Sequence, residues 1–223
     1  MTFPGDEGTR RARRGWRPSE VVVASDTPVF TILSVCTGNI CRSPLSEQLF
    51  PSELGADVSP RGRALFGFRS AGLETRDGCA MDENSARMST QYGGDPVGHS
   101  SARLTESLVG EADVMLTMTR DHLVDAARRF PSVLLRGFTL LEFARVLPFV
   151  AAQVPIPAIA DPAARLRAVV RSAAANRGRA PVGERGDDIE DPIGRGEATH
   201  ARVAEEIATA VATVSRYLRA LAR

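Results

Sequence analysis

VFTILSVCTGNICRSPL, residues Val29 to Leu45, begins as an apolar, β-branched run and ends as a helix start. The run Val29 to Val35 is short and stops at a Gly/Asn turn, which predicts a buried parallel strand. Ser43 and Pro44 predict the first turn of a helix, because proline there lacks only an N–H that would have no helical partner. That helix continues through Leu45 and Leu49 toward Leu54. A strand turning sharply into a helix leaves several backbone N–H groups pointing outward at the positive end of a helix dipole. Such a concavity binds an anion of phosphate shape. Gly38 and Asn39 suit the positive φ that the cradle needs. Arg42 adds a planar fork that can pair two phosphate oxygens at once. Cys36 lies at the mouth of the cradle, where positive potential favours its thiolate. A thiolate below a bound phosphate is a nucleophile aimed at phosphorus.

Outward from this stretch, strands and helices alternate. Leu65 to Ser70 predicts a second strand, Ala112 to Met118 a third and Val133 to Phe138 a fourth. Helices are predicted over Met81 to Tyr92, Leu104 to Glu111, Thr119 to Phe130 and Leu140 to Leu147, with Pro131 and Pro148 as breakers. The pattern predicts a three-layer α/β/α fold, with a central four-stranded parallel sheet and the phosphate-binding loop after the first strand. Ligand sites in such sheets lie at the carboxyl ends of the strands, where the Cys36 turn falls. Residues 1 to 27 read as a flexible basic N-terminal tail, and 28 to 223 as one domain with an insertion at about 148 to 186. A final helix, Gly196 to Leu221, repeats apolar residues at helical spacing and should pack on the sheet.

Composition narrows the function. The 28 basic residues, all arginine, balance 27 acidic ones, which argues against a nucleic-acid binder. Without lysine, a Walker-type phosphate loop is excluded. Three cysteines make no disulfide framework, and no apolar run reaches membrane-spanning length. A cytoplasmic location is expected, with no metal: Cys36 and Cys41 lack the second pair that a zinc site needs. His122 and His200 read as helix-surface residues, and the acidic residues from Glu184 to Glu190 as a solvated loop.

Cys36-Thr37-Gly38-Asn39-Ile40-Cys41-Arg42-Ser43-Pro44 resembles the signature loop of the low-molecular-weight protein tyrosine phosphatases. The resemblance spans about Phe30 to Val146 and Asp187 to the end. It implies that Cys36 is the nucleophile, Arg42 the phosphate-binding arginine, Asn39 the residue that shapes the loop and Ser43 the donor to the thiolate. It also implies that Cys41 is a second loop cysteine able to form a reversible disulfide with Cys36. Ser70 and His99 match positions that support the loop asparagine. The family's general acid sits in an Asp-Pro pair near the carboxyl end, which Asp191-Pro192 matches. Asp161-Pro162 is a rival that opens a helix read as inserted, and Asp95-Pro96 comes too early.

The implied activity is hydrolysis of phosphotyrosine through a cysteinyl-phosphate intermediate, without cofactor. The implied partner is a phosphotyrosine-bearing protein, with a tyrosine kinase's own phosphosites as a natural target. One departure concerns substrate: the family often has aromatic residues after Asp-Pro, and here Ile193 and Gly194 follow. Two alternatives share the cradle. One is arsenate reduction with an external thiol. A type with its own resolving cysteines is disfavoured, since the only cysteine past the loop, Cys79, lies too close to Cys36. The other is a phosphate-binding regulator that has lost turnover.

Overall fold

The computed structural model describes residues 29–182 and 186–223. The tail expected over residues 1 to 27 lies outside them. Four strands form one parallel sheet in the order β2-β1-β3-β4: β1 Phe30–Cys36, β2 Phe66–Gly72, β3 Val114–Thr117 and β4 Gly137–Thr139. The helices are α1 Arg42–Leu54, α2 Glu83–Gln91, α3 Glu106–Glu111, α4 Arg120–Arg129, α5 Leu140–Gln153, α6 Pro162–Asn176 and α7 Glu197–Leu221. Side chains of β1 alternate between two buried clusters. Phe30 and Ile32 join a large one with α1, α5, α6 and α7, whereas Leu33 and Val35 join a smaller one with α3 and α4. This is the expected three-layer arrangement.

Local chemistry explains most boundaries. Asp82, Thr105, Thr119, Thr139 and Asp161 each precede a helix, and each side chain accepts a hydrogen bond from a backbone N–H of the first turn. Asp161, the rival acid of the sequence reading, is thus the cap of α6, accepting from Ala164 N at 2.7 Å.

Three expectations about the carboxyl half need correction. The fourth strand does not begin at Val133: Pro131–Leu135 forms a 3-10 turn, and β4 starts only at Gly137. Leu134 and Leu135 are 60% and 72% exposed, so their apolar character reflects no burial. Gly137 is required by close approach, since a Cβ there would lie 2.5 Å from a Val133 methyl. Pro148 does not end α5, which continues to Gln153. The missing N–H is outweighed by a buried face of Phe143, Val146, Leu147 and Val150. Finally, α7 packs chiefly against α1 and α5 rather than on the sheet.

Candidate active site

The loop between β1 and α1 sits at the carboxyl end of the sheet, as the topology requires. Asn39 holds it in shape. Its φ is +53°, a left-handed conformation that asparagine tolerates better than most residues. Gly38 does not share it, and a Cβ there would only touch the Ile40 side chain at 3.5 Å. The expectation that both residues take positive φ is therefore corrected to Asn39 alone.

The Asn39 amide is fixed by its partners. Oδ1 accepts from Ala102 N at 2.9 Å, so Nδ2 must face the serines, and it donates to Ser70 Oγ at 2.8 Å and Ser43 Oγ at 3.0 Å. His99 Nε2 donates to the Asn39 carbonyl at 2.8 Å, which requires the proton on Nε2. Ser70 donates its own proton to Glu47. On the other side, Gly72 lets the loop lie flat against β2: a Cβ there would sit 2.7 Å from Thr37 O.

Cys36 ends β1 with its side chain buried. Its Sγ lies 3.0 Å from Ser43 Oγ and receives the Asn39 N–H at 3.3 Å. Because Ser43 Oγ accepts from Asn39, its proton is free to point at Sγ, the nearer of its two acceptors; Ala71 O is 3.4 Å away. Both contacts place a hydrogen-bond donor against the sulfur. Cys41 differs: it is buried beside Ser85, and burial pushes its thiol up to about 12. It is a neutral thiol at physiological pH.

Arg42 is buried at 4% exposure. One terminal nitrogen donates to Ile189 O at 3.1 Å, and the other pairs with Asp191 Oδ2 at 2.6 Å. Its buried Nε has no hydrogen-bond partner among the described residues. Asp191 is half exposed and lies across a small cavity from the loop. That cavity, about 140 Å³, is lined by Cys36, Thr37, Gly38, Ile40, Cys41, Arg42, Asp191 and Ile193. A larger groove of about 830 Å³ between α5 and α7 brings together no thiol with guanidinium and carboxylate.

The expected residues thus converge around one cavity, with Ser70 and His99 behind the loop. The sequence reading missed others. His122 is buried, not a surface residue, and its Nε2 lies 2.8 Å from Thr37 Oγ1. Its Nδ1 is buried without a partner among the described residues. His200 is likewise buried, 3.1 Å from Ser85 Oγ. Asp187, expected in a solvated loop, is 3% exposed and ion-paired with Arg145 and Arg120. Helical spacing alone marks none of these three, since their partners lie far away in sequence.

Burial, reinforced by the Arg42 charge, lowers the His122 pKa from 6.5 to about 4. Folding therefore favours the neutral ring. The stability so contributed is fully present above about pH 6.5 and is lost as pH falls toward 4. A shift of this size corresponds to roughly 3 kcal/mol. His122→Gln should flatten the dependence of the urea midpoint on pH between about 6.5 and 4. Parallel curves for the two proteins would refute this; carboxylates titrating in both cancel in the difference.

A buried guanidinium, a thiol at the same cavity and a carboxylate facing both define a class, proteins that bind phosphoryl groups on a strand-to-helix loop of an α/β/α fold. The model of the low molecular weight phosphotyrosine protein phosphatase family matches residues 31–172, and the chain belongs to that family. Its members are phosphoric monoester hydrolases, and membership implies phosphoprotein substrates. The probable low molecular weight protein-tyrosine-phosphatase AmsI of Erwinia amylovora is 34% identical over 111 residues, 50% of this chain and 69% of that protein. A protein-arginine-phosphatase of Bacillus subtilis (strain 168) is 33% identical over 115 residues, 50% of this chain and 71% of its own length. The crystal structure of the E. amylovora tyrosine phosphatase AmsI shares the fold, with a TM-score of 0.58 and 22% identity over 86% of this chain and 93% of that one. Asp191 lies beyond the residues matched by the family model, so its placement rests on the geometry above.

Proposed function

We propose that this protein hydrolyses phosphotyrosine in proteins through a phosphocysteine formed on Cys36. The observation that carries the reading is Arg42: a buried cation with an unpartnered Nε, beside the thiol and paired to Asp191. Burying such a charge is costly unless an anion offsets it, and a phosphoryl dianion is the anion that the loop's N–H groups suit. The Cys36 thiolate attacks phosphorus, and the bond from phosphorus to the phenolic oxygen breaks. Asp191, protonated, gives its proton to that oxygen. As a carboxylate it then takes a proton from water, which attacks phosphorus, releasing inorganic phosphate and restoring the thiolate. Thr37, Gly38, Asn39, Ile40, Cys41 and Ser43 form the cradle, with Ser70 and His99 supporting Asn39.

Ile40 and Ile193 are the apolar residues at the cavity, and they favour an aromatic leaving group over a charged one. Ile193 stands where the resemblance leads one to expect an aromatic ring. The phosphosites of a tyrosine kinase are a substrate class of this chemistry, and a cytoplasmic location suits a mechanism that needs a reduced thiol. A second reading, phosphoarginine, is raised by the protein-arginine-phosphatase relative. Turnover of matched phosphotyrosine and phosphoarginine peptides decides between them. In that comparison kcat/KM should favour phosphotyrosine by at least ~10-fold. The reverse preference would establish the second reading, and turnover of neither would return weight to arsenate or to phosphate binding alone.

A further inference from the structure

The segment carrying Asp191 has no regular secondary structure, so its position depends on individual contacts. Two are backbone contacts at Ile189, whose N–H donates to Met118 O at 2.8 Å and whose carbonyl accepts from Arg42. The others are side-chain contacts. Asp188 Oδ1 accepts from Arg120 N at 2.7 Å, and the exposed Glu190 pairs with Arg202 of α7.

Two buried charged anchors hold the segment: Arg42, which donates to Ile189 O and pairs with the half-exposed Asp191, and the buried carboxylate Asp187. Arg145 of α5 grips it with two parallel bonds, Nε to Oδ1 at 3.0 Å and a terminal nitrogen to Oδ2 at 2.7 Å. Arg120 adds a third bond at 3.0 Å, but its side chain is 61% exposed against 15% for Arg145. Hydrogen bonding to Arg145 holds the Asp187 carboxyl below the usual carboxylate range, and bonding to Asp187 raises Arg145 in turn. Each partner thus favours the charged form of the other.

The same Arg145 guanidinium reaches backward. It donates to Ala180 O at 2.8 Å, beyond the end of α6. Arg177, which caps α6, lies over the Phe138 ring of β4 at 4.5 Å and donates to Gly137 O. α6 buries Leu166, Val169, Val170 and Ala173 in the main core. The region read from sequence as an insertion is thus tied by one side chain to the loop that carries Asp191.

We propose that Arg145, through Asp187, is the positioning residue for the acid Asp191, and that it makes the segment from α5 through α6 part of the catalytic support. The inference rests on the reading of Asp191 as the acid. Arg145 touches neither substrate nor cradle; it fixes where the acid sits. Its loss should therefore cost proton transfer and leave phosphate binding intact.

The test is a leaving-group series of aryl phosphates, from an activated nitrophenyl ester to phenyl phosphate, with wild type, Arg145→Met, Arg145→Lys, Asp187→Asn and Asp191→Ala. Inhibition by inorganic phosphate is measured in parallel. For Arg145→Met and Asp187→Asn, kcat/KM on phenyl phosphate should fall by ~10-fold or more and on the most activated ester by less than ~3-fold. Phosphate inhibition should stay within ~2-fold of wild type, and Arg145→Lys, which keeps the charge but loses the fork, should fall between. A uniform loss across the series, or none, would overturn the proposal. If Asp191→Ala shows the leaving-group dependence and the other variants do not, the anchor fails alone. If Asp191→Ala lacks it, the acid reading fails and this inference with it. Should Arg145→Met not fold, the near-isosteric Asp187→Asn decides the same question.

Discussion

Cys36→Ser should abolish turnover of a phosphotyrosine peptide, by ~10⁴-fold or more, while inorganic phosphate still binds. A serine hydroxyl fits the space of the thiol and accepts the same Asn39 N–H, so the cradle should survive. It carries no negative charge at neutral pH and is a far poorer nucleophile. Binding should survive because the loop's outward N–H groups and Arg42 supply it, with the support of Asn39, Ser70 and His99 unchanged. Steady-state kinetics with calorimetric phosphate titration would check both halves. Residual turnover above ~1% of wild type would mean that another group attacks phosphorus.

Asp191→Ala should have the second largest effect, and a graded one. A phenolate leaves poorly without a proton, so kcat/KM for phenyl phosphate should fall by ~10²–10³-fold. A nitrophenolate needs little help, and its ester should be hydrolysed far more nearly as by wild type. Asp161→Ala should leave the whole series unaffected in kcat/KM, since its carboxylate caps α6. It should instead lower stability by about 1 kcal/mol, the usual cost of a lost cap. The two variants together separate acid from cap. If Asp161→Ala gave the steep leaving-group dependence and Asp191→Ala did not, the acid would be misassigned. The ion pair with Arg42 at 2.6 Å adds a consequence. An incoming phosphoryl group competes with the Asp191 carboxylate for the same guanidinium.

The strand-loop-helix unit at the start of the domain was legible because local and long-range demands agree there. The run Phe30 to Val35 is buried on both faces, and the Cys36 turn emerges at the sheet's carboxyl end. Elsewhere the same signals misled for physical reasons. Val133 to Phe138 has the composition of a strand, but Pro131 favours a 3-10 turn, and the chain is extended only from Gly137. Pro148 reads as a stop, but the apolar face around it holds α5 together through the break. In the site, Cys36, Arg42 and Asn39 could be found because they share one loop. His122 and Asp187 could not, since Thr37 and Arg145, their partners, are brought to them only by the fold. An isolated histidine on a helix and an aspartate among acidic neighbours carry no mark of burial.

The most direct test of a phosphocysteine mechanism is to quench the enzyme during turnover of a phosphotyrosine peptide and locate the phosphoryl group by mass spectrometry. The mechanism predicts one phosphoryl group, on the Cys36 sulfur, disappearing as substrate is exhausted. Turnover with Cys36 never phosphorylated, or with the phosphoryl group on another residue, would contradict it.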